Sequence, residues 1–139
     1  MNRAHQNPAQ SRLDLMHRFT LPGAPTFNDG DESSLDQSLL PLYRDLISLR
    51  QLEPALSSGS FRQLQVDGDL LVYERRSEHQ RFVIALNFGG TALPVHLRTV
   101  GSIAASTNPE RPIGDHDVEE SKPLATTLQP FEGIIVRVA

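Results

Sequence analysis

The second half of the chain carries an apolar pattern with a period of two, which limits the fold more than any other feature. From Phe61 onward, short apolar runs alternate with turn residues at intervals of about eight to twelve residues. A period of two places alternate side chains on one face of a strand, and runs at this spacing are typical of an antiparallel sandwich. The strands that we expect lie at 61–66, 70–75, 81–88, 93–98, 102–106, 124–128 and 133–138.

Turn residues separate these runs. Asp67-Gly68 follows the first run, and because both residue types tolerate positive φ, the pair predicts a hairpin turn. Gly89-Gly90 marks the third turn. The stretch 108–123 holds three prolines, a glycine and six acidic or histidine residues, so it predicts a long exposed loop.

The first half of the chain has the period of an amphipathic helix. Between Ser38 and Glu53 the apolar residues recur at steps of three and four, which predicts a helix with one apolar stripe. Ser38 is the expected N-cap, Pro41 falls in the first turn, where a missing N–H costs little, and Pro54 ends the helix. The stripe consists of Leu39, Leu42, Tyr43, Leu46, Leu49 and Leu52.

A shorter helix is expected upstream, between residues 9 and 19, where Leu13, Met16 and Phe19 fall at helical spacing. It has only about three turns, so it would be marginal alone. Prolines and glycines crowd the segment that follows, and at most a brief strand fits at 24–28.

The composition is that of a mildly acidic globular protein without cysteine, with 38% hydrophobic residues, 22% charged residues and a formal net charge of -4. Since no basic face neutralises phosphates, we expect no nucleic-acid partner. Without cysteine there is no disulfide framework and no thiolate ligand or nucleophile. The polar start and the lack of an apolar run of about 18 residues predict no signal peptide, no membrane span and a cytoplasmic location.

A resemblance to a known family begins in the helix at 38–56. Its sequence, SLLPLYRDLISLRQLEPAL, closely resembles the last barrel helix of α-glucosidases, oligo-1,6-glucosidases and sucrose-cleaving and trehalose-forming enzymes of the α-amylase superfamily. Later segments are similar to successive strands of that family's C-terminal β-sandwich: SSGSFRQL, LLVYERR, RFVIALNFGG and LQPFEGIIVRV. Upstream, SRLDLMHRFTLPGAPTFNDGDE is similar to the family's seventh helix and eighth strand.

The resemblance implies a mainly β fold. This is an antiparallel C-terminal β-sandwich of the α-amylase superfamily type, preceded by one or two α-helices left over from a (β/α)8 barrel. It divides the chain into a poorly ordered segment at 1–36, with a short helix and a remnant of the last barrel strand, a barrel-type helix at 37–56, and the sandwich at 57–139.

The departures from the family pattern concern the active site. The family cleaves α-glucosidic bonds with a carboxylate nucleophile, a carboxylic acid donor and a third carboxylate, on barrel strands that this sequence does not contain. NRAHQ at 2–6 stands where the family has Asn-His-Asp, Asn28-Asp29 replaces an aromatic pair, and a pocket-lining excursion is collapsed to 33–37. The resemblance therefore implies no catalytic residue, no cofactor and no metal site in this chain.

The remaining acidic residues do not replace that machinery. A retaining glycosidase needs two carboxyl groups about 5 to 5.5 Å apart. Asp31 and Glu32 are neighbours, which point to opposite sides of an extended segment. Asp29 and Asp31 could share a side, but one strand cannot close a barrel around a sugar. We expect a solvated acidic turn here.

Two other kinds of site have unspecific patterns. His116 lies between Asp115 and Asp117, and although zinc or manganese accept such ligands, we expect a solvated loop. Aromatic rings could form a sugar-stacking surface, but their places in the helix and strand patterns favour core packing. The rings are Tyr43, Phe61, Tyr73, Phe82, Phe88 and Phe131, and the isolated histidines are His17, His79 and His96.

These patterns predict a non-catalytic C-terminal domain, or a truncated remnant, of an α-glucosidase-like enzyme. Two alternatives stay open: a stand-alone carbohydrate-binding module with weak α-glucoside affinity, and a fragment that completes a split glycosidase in trans. With no barrel beside it, the helix face of Leu39, Leu42, Leu46 and Leu49 is expected to be partly exposed. Such a face would drive self-association or docking onto another chain.

Overall fold

A computed structural model describes residues 7–23, 37–111, 113 and 123–138, and this part of the chain forms three layers. The first layer contains helix α1 (Pro8–Thr20), helix α2 (Leu40–Leu52), which follows a 3-10 turn (Gln37–Leu39), and the short helix α3 (Pro54–Ser57). The other two layers are β-sheets. Their strands are β1 (Ser60–Asp67), β2 (Leu70–Arg76), β3 (Arg81–Asn87), β4 (Leu93–His96), β5 (Gly101–Ser106), β6 (Ala125–Leu128) and β7 (Gly133–Val138).

Five strands form the central sheet in the order β1-β2-β3-β7-β5, each antiparallel to its neighbours. Strands β4 and β6 pair in a second antiparallel sheet that covers one face of the first. The helices cover the other face. Because β3 and β7 are covered on both faces, their sequences read as nearly continuous apolar runs, FVIAL and GIIV, rather than as strict alternation.

The central sheet separates two hydrophobic cores. On the helix side, Tyr73, Ile84 and Ile135 are aligned across β2, β3 and β7 and belong to the core that α1 and α2 complete. On the other side, Val72, Ala85 and Ile134 are aligned in the same way and pack with the β4–β6 sheet. Burial of a large apolar side chain contributes about 1.5–3 kcal/mol, so both faces stabilise the fold.

A glycine lets α1 lie close to β7. A Cβ atom at Gly133 would lie 2.6 Å from Leu86 Cδ2 and 3.0 Å from Leu13 Cδ1 and Met16 Sδ. All three side chains are buried, so they cannot swing into solvent to make room. The close packing of α1 against β7 therefore requires a glycine at position 133.

The antiparallel architecture is confirmed, and each strand begins within one residue of its predicted start. Strand β4 is shorter than predicted and ends at His96. The first hairpin turn lies one residue later than predicted, at Gly68-Asp69, because Asp67 pairs with Leu70. Gly68 has a φ of 61°, and glycine adopts positive φ without the steric cost of a side chain. The strand predicted at 24–28 and most of the loop predicted at 108–123 lie outside the described residues.

Both helices are present, but the N-cap prediction for α2 is wrong. Leu39 occupies the N-cap position in helical conformation, with no side-chain cap, because a 3-10 turn leads into the helix. Pro41 lies in the first turn and Glu53 is extended before Pro54, as predicted. Helix α1 begins with a capping box, in which Asn7 and Gln10 bind each other's backbone N–H groups. The division at residues 36 and 56 stays a prediction.

Candidate functional site

A buried arginine joins the helix layer to the central sheet. Arg75 on β2 is fully buried, and its guanidinium donates to carbonyl oxygens in α1, α3 and the start of β1. The acceptors are Thr20 at 2.9 Å, Gly59 at 3.0 Å, Ser60 at 3.2 Å and Leu56 at 3.2 Å. Burial lowers the pKa of Arg75, and the nearby charge of Arg50 adds to this effect. Carbonyl dipoles thus stabilise a cation within the junction of the layers.

A second arginine binds the same end of α1. Arg50 on α2 donates to the carbonyl oxygens of Phe19 at 2.8 Å and Leu21 at 3.1 Å, and also to that of Gly23. The last carbonyls of a helix have no partners within it and carry partial negative charge. Arg50 and Arg75 supply the missing donors, so this cationic pair has a structural role.

Beneath this junction, the hydroxyls of Thr20 and Tyr73 share a short hydrogen bond. Burial raises the pKa of Tyr73, so the phenol keeps its proton. The ring of His17 packs 6.1 Å from that of Tyr73 and 5.4 Å from that of Phe88. Burial lowers the pKa of His17, and Asp14 opposes this shift. His17 therefore packs as a neutral ring.

Three carboxylates of low exposure are each bound by an arginine from another element. The distance from a guanidinium nitrogen to a carboxylate oxygen is 2.8 Å in the pair Arg137–Glu53, 2.5 Å in Arg81–Glu74 and 2.9 Å in Arg111–Glu132. Glu132 also accepts from the Ser106 hydroxyl at 3.1 Å and the Gln129 N–H at 2.7 Å. These contacts tie the residue that follows α2 to β7, β2 to β3, and the segment after β5 to the turn before β7.

The expected exposure of the α2 face is wrong for most of its length. Leu39, Leu42 and Leu46 are only 9%, 8% and 2% exposed. Helix α1 packs across this face and the central sheet lies beneath it, so these side chains join the helix-side core. The expectation assumed that barrel elements cover this face of α2, whereas helix α1 covers it in the structure. Leu49 is half-buried.

The exposed apolar surface of α2 lies at its C-terminal end. Leu52 is 74% exposed, and it borders a groove of about 460 Å³ between α2 and β5. Ile113, which is 50% exposed, lines the same groove. Leu39, Leu42 and Leu46 therefore do not form the exposed face from which self-association or docking was predicted, and the association itself stays a prediction.

The aromatic residues divide between the core and the surface. Tyr43, Tyr73 and Phe82 are buried, as the sequence patterns predict, whereas Phe61 and Phe88 are each 40% exposed. Phe88 and Phe131 line a shallow pocket of about 160 Å³ together with Gln10, Leu13 and Asp14. An aromatic pair beside polar side chains is the lining that sugar rings favour.

A larger groove, the arginine groove, lies on the opposite face of the central sheet. It has a volume of about 510 Å³ and opens between strands β1–β3 and residues 96–99. Its basic residues are Arg62, Arg81, His96 and Arg98, and its other lining residues are Leu64, Gln65, Val72, Val83, Leu97 and Thr99. The sequence patterns do not predict this groove, because its basic residues lie on separate elements.

The structure does not describe the acidic residues and the histidine that the sequence singles out for chemistry. Asp29, Asp31, Glu32 and His116 with its acidic neighbours are outside the described residues. In residues 7–23, 37–111, 113 and 123–138, no group of three or more histidine, aspartate or glutamate residues could hold a metal ion. No helix within these ranges is long and apolar enough to cross a membrane.

Comparisons with known proteins relate this chain to parts of much longer ones. Amino acid transporter heavy chain SLC3A2 of Oryctolagus cuniculus is 29% identical over 177 residues, covering 93% of this chain and 34% of the relative. Cyclomaltodextrin glucanotransferase of Klebsiella oxytoca is 27% identical over 125 residues, covering 89% of this chain and 17% of the relative. The chain thus spans about a third or less of these relatives. No protein-family model matches the sequence.

The fold has counterparts among solved structures. The debranching enzyme of Nostoc punctiforme matches with a TM-score of 0.74 and 24% identity, covering 95% of this chain and 31% of that one. These relatives are α-amylase family members. The chain is thus similar in sequence to parts of α-amylase family members, and its fold matches α-amylase-family structures, with a C-terminal β-sandwich and the helices that precede it.

Proposed function

We propose that this domain is non-catalytic and that its buried charges hold a scaffold together rather than cleave α-glucosidic bonds. The observation that carries the proposal is the pairing of Glu53, Glu74 and Glu132 with arginines of other elements. A retaining glycosidase needs one protonated carboxyl and one free carboxylate, about 5 to 5.5 Å apart around the substrate. Carboxylates that accept from a guanidinium are engaged in structural contacts instead.

The range of the relatives supports the same proposal. One is named as a glucanotransferase and another as an amino acid transporter heavy chain. A domain that is similar to parts of both is not tied to one reaction, because fold and function separate readily. We therefore assign this chain a supporting role and no turnover of its own.

Hydrolysis of 4-nitrophenyl α-glucoside by the purified chain tests the proposal. We expect no release of nitrophenol above the rate without protein, while an intact α-glucosidase assayed in parallel gives signal. Saturable turnover that disappears in Asp29→Asn or Asp31→Asn would contradict the proposal, since it would place a working carboxylate in the chain.

Weak binding of neutral α-glucosides is the second candidate function, and the pocket at Phe88 and Phe131 favours it. An exposed ring face there meets the polar groups of Gln10 and Asp14. Titration calorimetry with maltose should show saturable heat that Phe88→Ala removes. Phe61→Ala is the matched control, because Phe61 is equally exposed and does not line this pocket. Equal loss in both variants would count against a specific site.

A further inference from the structure

We propose that the arginine groove binds a small organic oxyanion, a phosphate or carboxylate group carried on a compact body. Guanidinium groups reach this groove from separate elements: Arg62 from β1, Arg81 from β3 and Arg98 from the segment after β4. Among the described residues that line it there is no aspartate or glutamate. Glu74 offsets the charge of Arg81 from below, so the local excess of positive charge comes from Arg62 and Arg98, in a chain whose formal net charge is -4.

The three guanidinium groups differ in how they are held. Nε of Arg81 lies 2.5 Å from Oε1 of the buried Glu74, which fixes the orientation of the Arg81 side chain. The side chains of Arg62 and Arg98 are exposed and have no hydrogen-bond or ion-pair partner among the described residues. The groove thus combines one oriented cation with two that are available to a ligand.

Thr99 provides an independent observation. Its Oγ1 is the one buried side-chain oxygen or nitrogen, in the part of the chain that the structure describes, without a hydrogen-bond partner. An unpaired buried hydroxyl destabilises the fold, so such a group calls for an explanation. Thr99 lines the arginine groove. Its Oγ1 is closed to solvent in this conformation, so a ligand oxygen would supply the missing partner once the hydroxyl turns towards the groove.

The size and floor of the groove indicate what else the ligand contains. A volume of about 510 Å³ falls within the range of small-molecule sites, about 300–1,000 Å³. Val72, Val83 and Leu97 line it and belong to the core beneath. An apolar floor with cations at its rim suits a compact ring with one oxyanion, because guanidinium binds phosphate and carboxylate through paired N–H donors.

Titration calorimetry on the whole chain tests the proposal with glucose 6-phosphate, glucuronate, glucose and inorganic phosphate. We expect saturable heat from glucose 6-phosphate or glucuronate and none from glucose, and the stronger of the two identifies the oxyanion. Arg62→Ala and Arg98→Ala should each weaken binding about tenfold or more. Arg18→Ala should not, because Arg18 lies on α1, across the central sheet, in an exposed ion pair with Asp14.

Several outcomes would overturn the proposal. These are no heat from either anion, equal heat from glucose, or unchanged affinity in Arg62→Ala and Arg98→Ala. Inorganic phosphate that binds as tightly as glucose 6-phosphate would overturn the role of the compact body and leave the oxyanion site supported. The proposal does not depend on the absence of catalysis, so the hydrolysis assay and this titration can fail separately.

Thr99→Val separates binding from folding. Valine has nearly the shape of threonine without the hydroxyl, so the folded protein should be as stable as the wild type or more stable. Affinity for the anion should fall. A lowered urea midpoint would show that the hydroxyl already has a partner in the folded chain, and would remove Thr99 from the proposed site.

Discussion

Nη1 of Arg75 lies 2.9 Å from the carbonyl oxygen of Thr20, so a buried cation of the central sheet binds the last residue of helix α1. The same guanidinium reaches Leu56, Gly59 and Ser60. One side chain thereby satisfies carbonyl groups of three chain segments that have no common hydrogen-bond ladder. The stability of the layered fold should depend strongly on this residue.

Replacement of Arg75 by methionine should destabilise the protein by about 3 kcal/mol, because buried carbonyl groups lose their donors. Urea unfolding followed by circular dichroism measures the change. Arg76→Met is the matched control, since Arg76 is the next residue on β2 and is exposed. Its effect should stay within about 0.5 kcal/mol. Equal midpoints for the two variants would argue against the structural role of Arg75.

Replacement of Gly59 by alanine should lower stability by about 2 kcal/mol or more. A Cβ atom there would lie 2.4 Å from the Ala55 carbonyl oxygen and 2.6 Å from that of Arg76, and backbone atoms cannot move aside locally. Gly90→Ala is the control, because a Cβ at Gly90 would meet only Phe131, at 3.8 Å. Thermal unfolding of both variants checks the difference, and a tolerated Gly59→Ala would refute the close approach.

Truncation of Leu46 and Leu52 to alanine tests the corrected view of helix α2. Leu46 is buried in the helix-side core, so Leu46→Ala should cost about 2–5 kcal/mol. Leu52→Ala should change stability by less than about 0.5 kcal/mol because its side chain is already in solvent. The helix propensities of the two substitutions are the same, so urea midpoints report burial. Similar losses at both positions would mean that α1 does not cover α2.

The ion pair of Glu53 should make stability depend on acid pH. Hydrogen bonding from Arg137 lowers the pKa of Glu53 in the folded protein, against an opposing effect of burial. A carboxyl whose folded pKa is depressed stabilises the fold above its unfolded pKa, about 4.3. That contribution is lost as pH falls through the folded pKa. Because Arg137 is partly exposed, we expect less than about 1 kcal/mol.

Urea midpoints of the wild type and Glu53→Gln, measured from pH 7 to pH 3, check this dependence. The two curves should differ most near neutrality and converge in acid. Glu78→Gln, at an exposed carboxylate beside His79, should follow the wild type throughout. A gap between wild type and Glu53→Gln that widens in acid would reverse the sign that the Arg137 contact predicts.

The strands could be predicted from the sequence because their pattern is local. Turn residues such as Gly68 and the period of two locate each strand within a few residues. The register is less predictable, because the first turn lies one residue later than predicted and β1 has an irregularity between Gln63 and Gln65. The cover of α2 could not be predicted in this way. It depends on how α1 packs against residues far away in the sequence, and the resemblance drew attention to a barrel instead.

The charged sites were harder to predict than the fold. Arg75 shares a strand face with Tyr73, so the period of two places it towards the core. Its carbonyl partners are distant in the sequence, so no local pattern predicts them. Arg62, Arg81 and Arg98 come together only after β1 and β3 are joined through β2 and residues 96–99 cross the sheet. The spacing of these arginines along the sequence does not predict that arrangement.

Strands β3 and β7 each give one face to the helix-side core and the other to the core beneath β4 and β6. If either outer layer unfolds, one face of both β3 and β7 becomes exposed to solvent. Heating should therefore produce a single cooperative transition rather than stepwise loss of helix and then sheet. The amides of β3 and β7 should be the last to exchange with deuterium, since only global opening frees them.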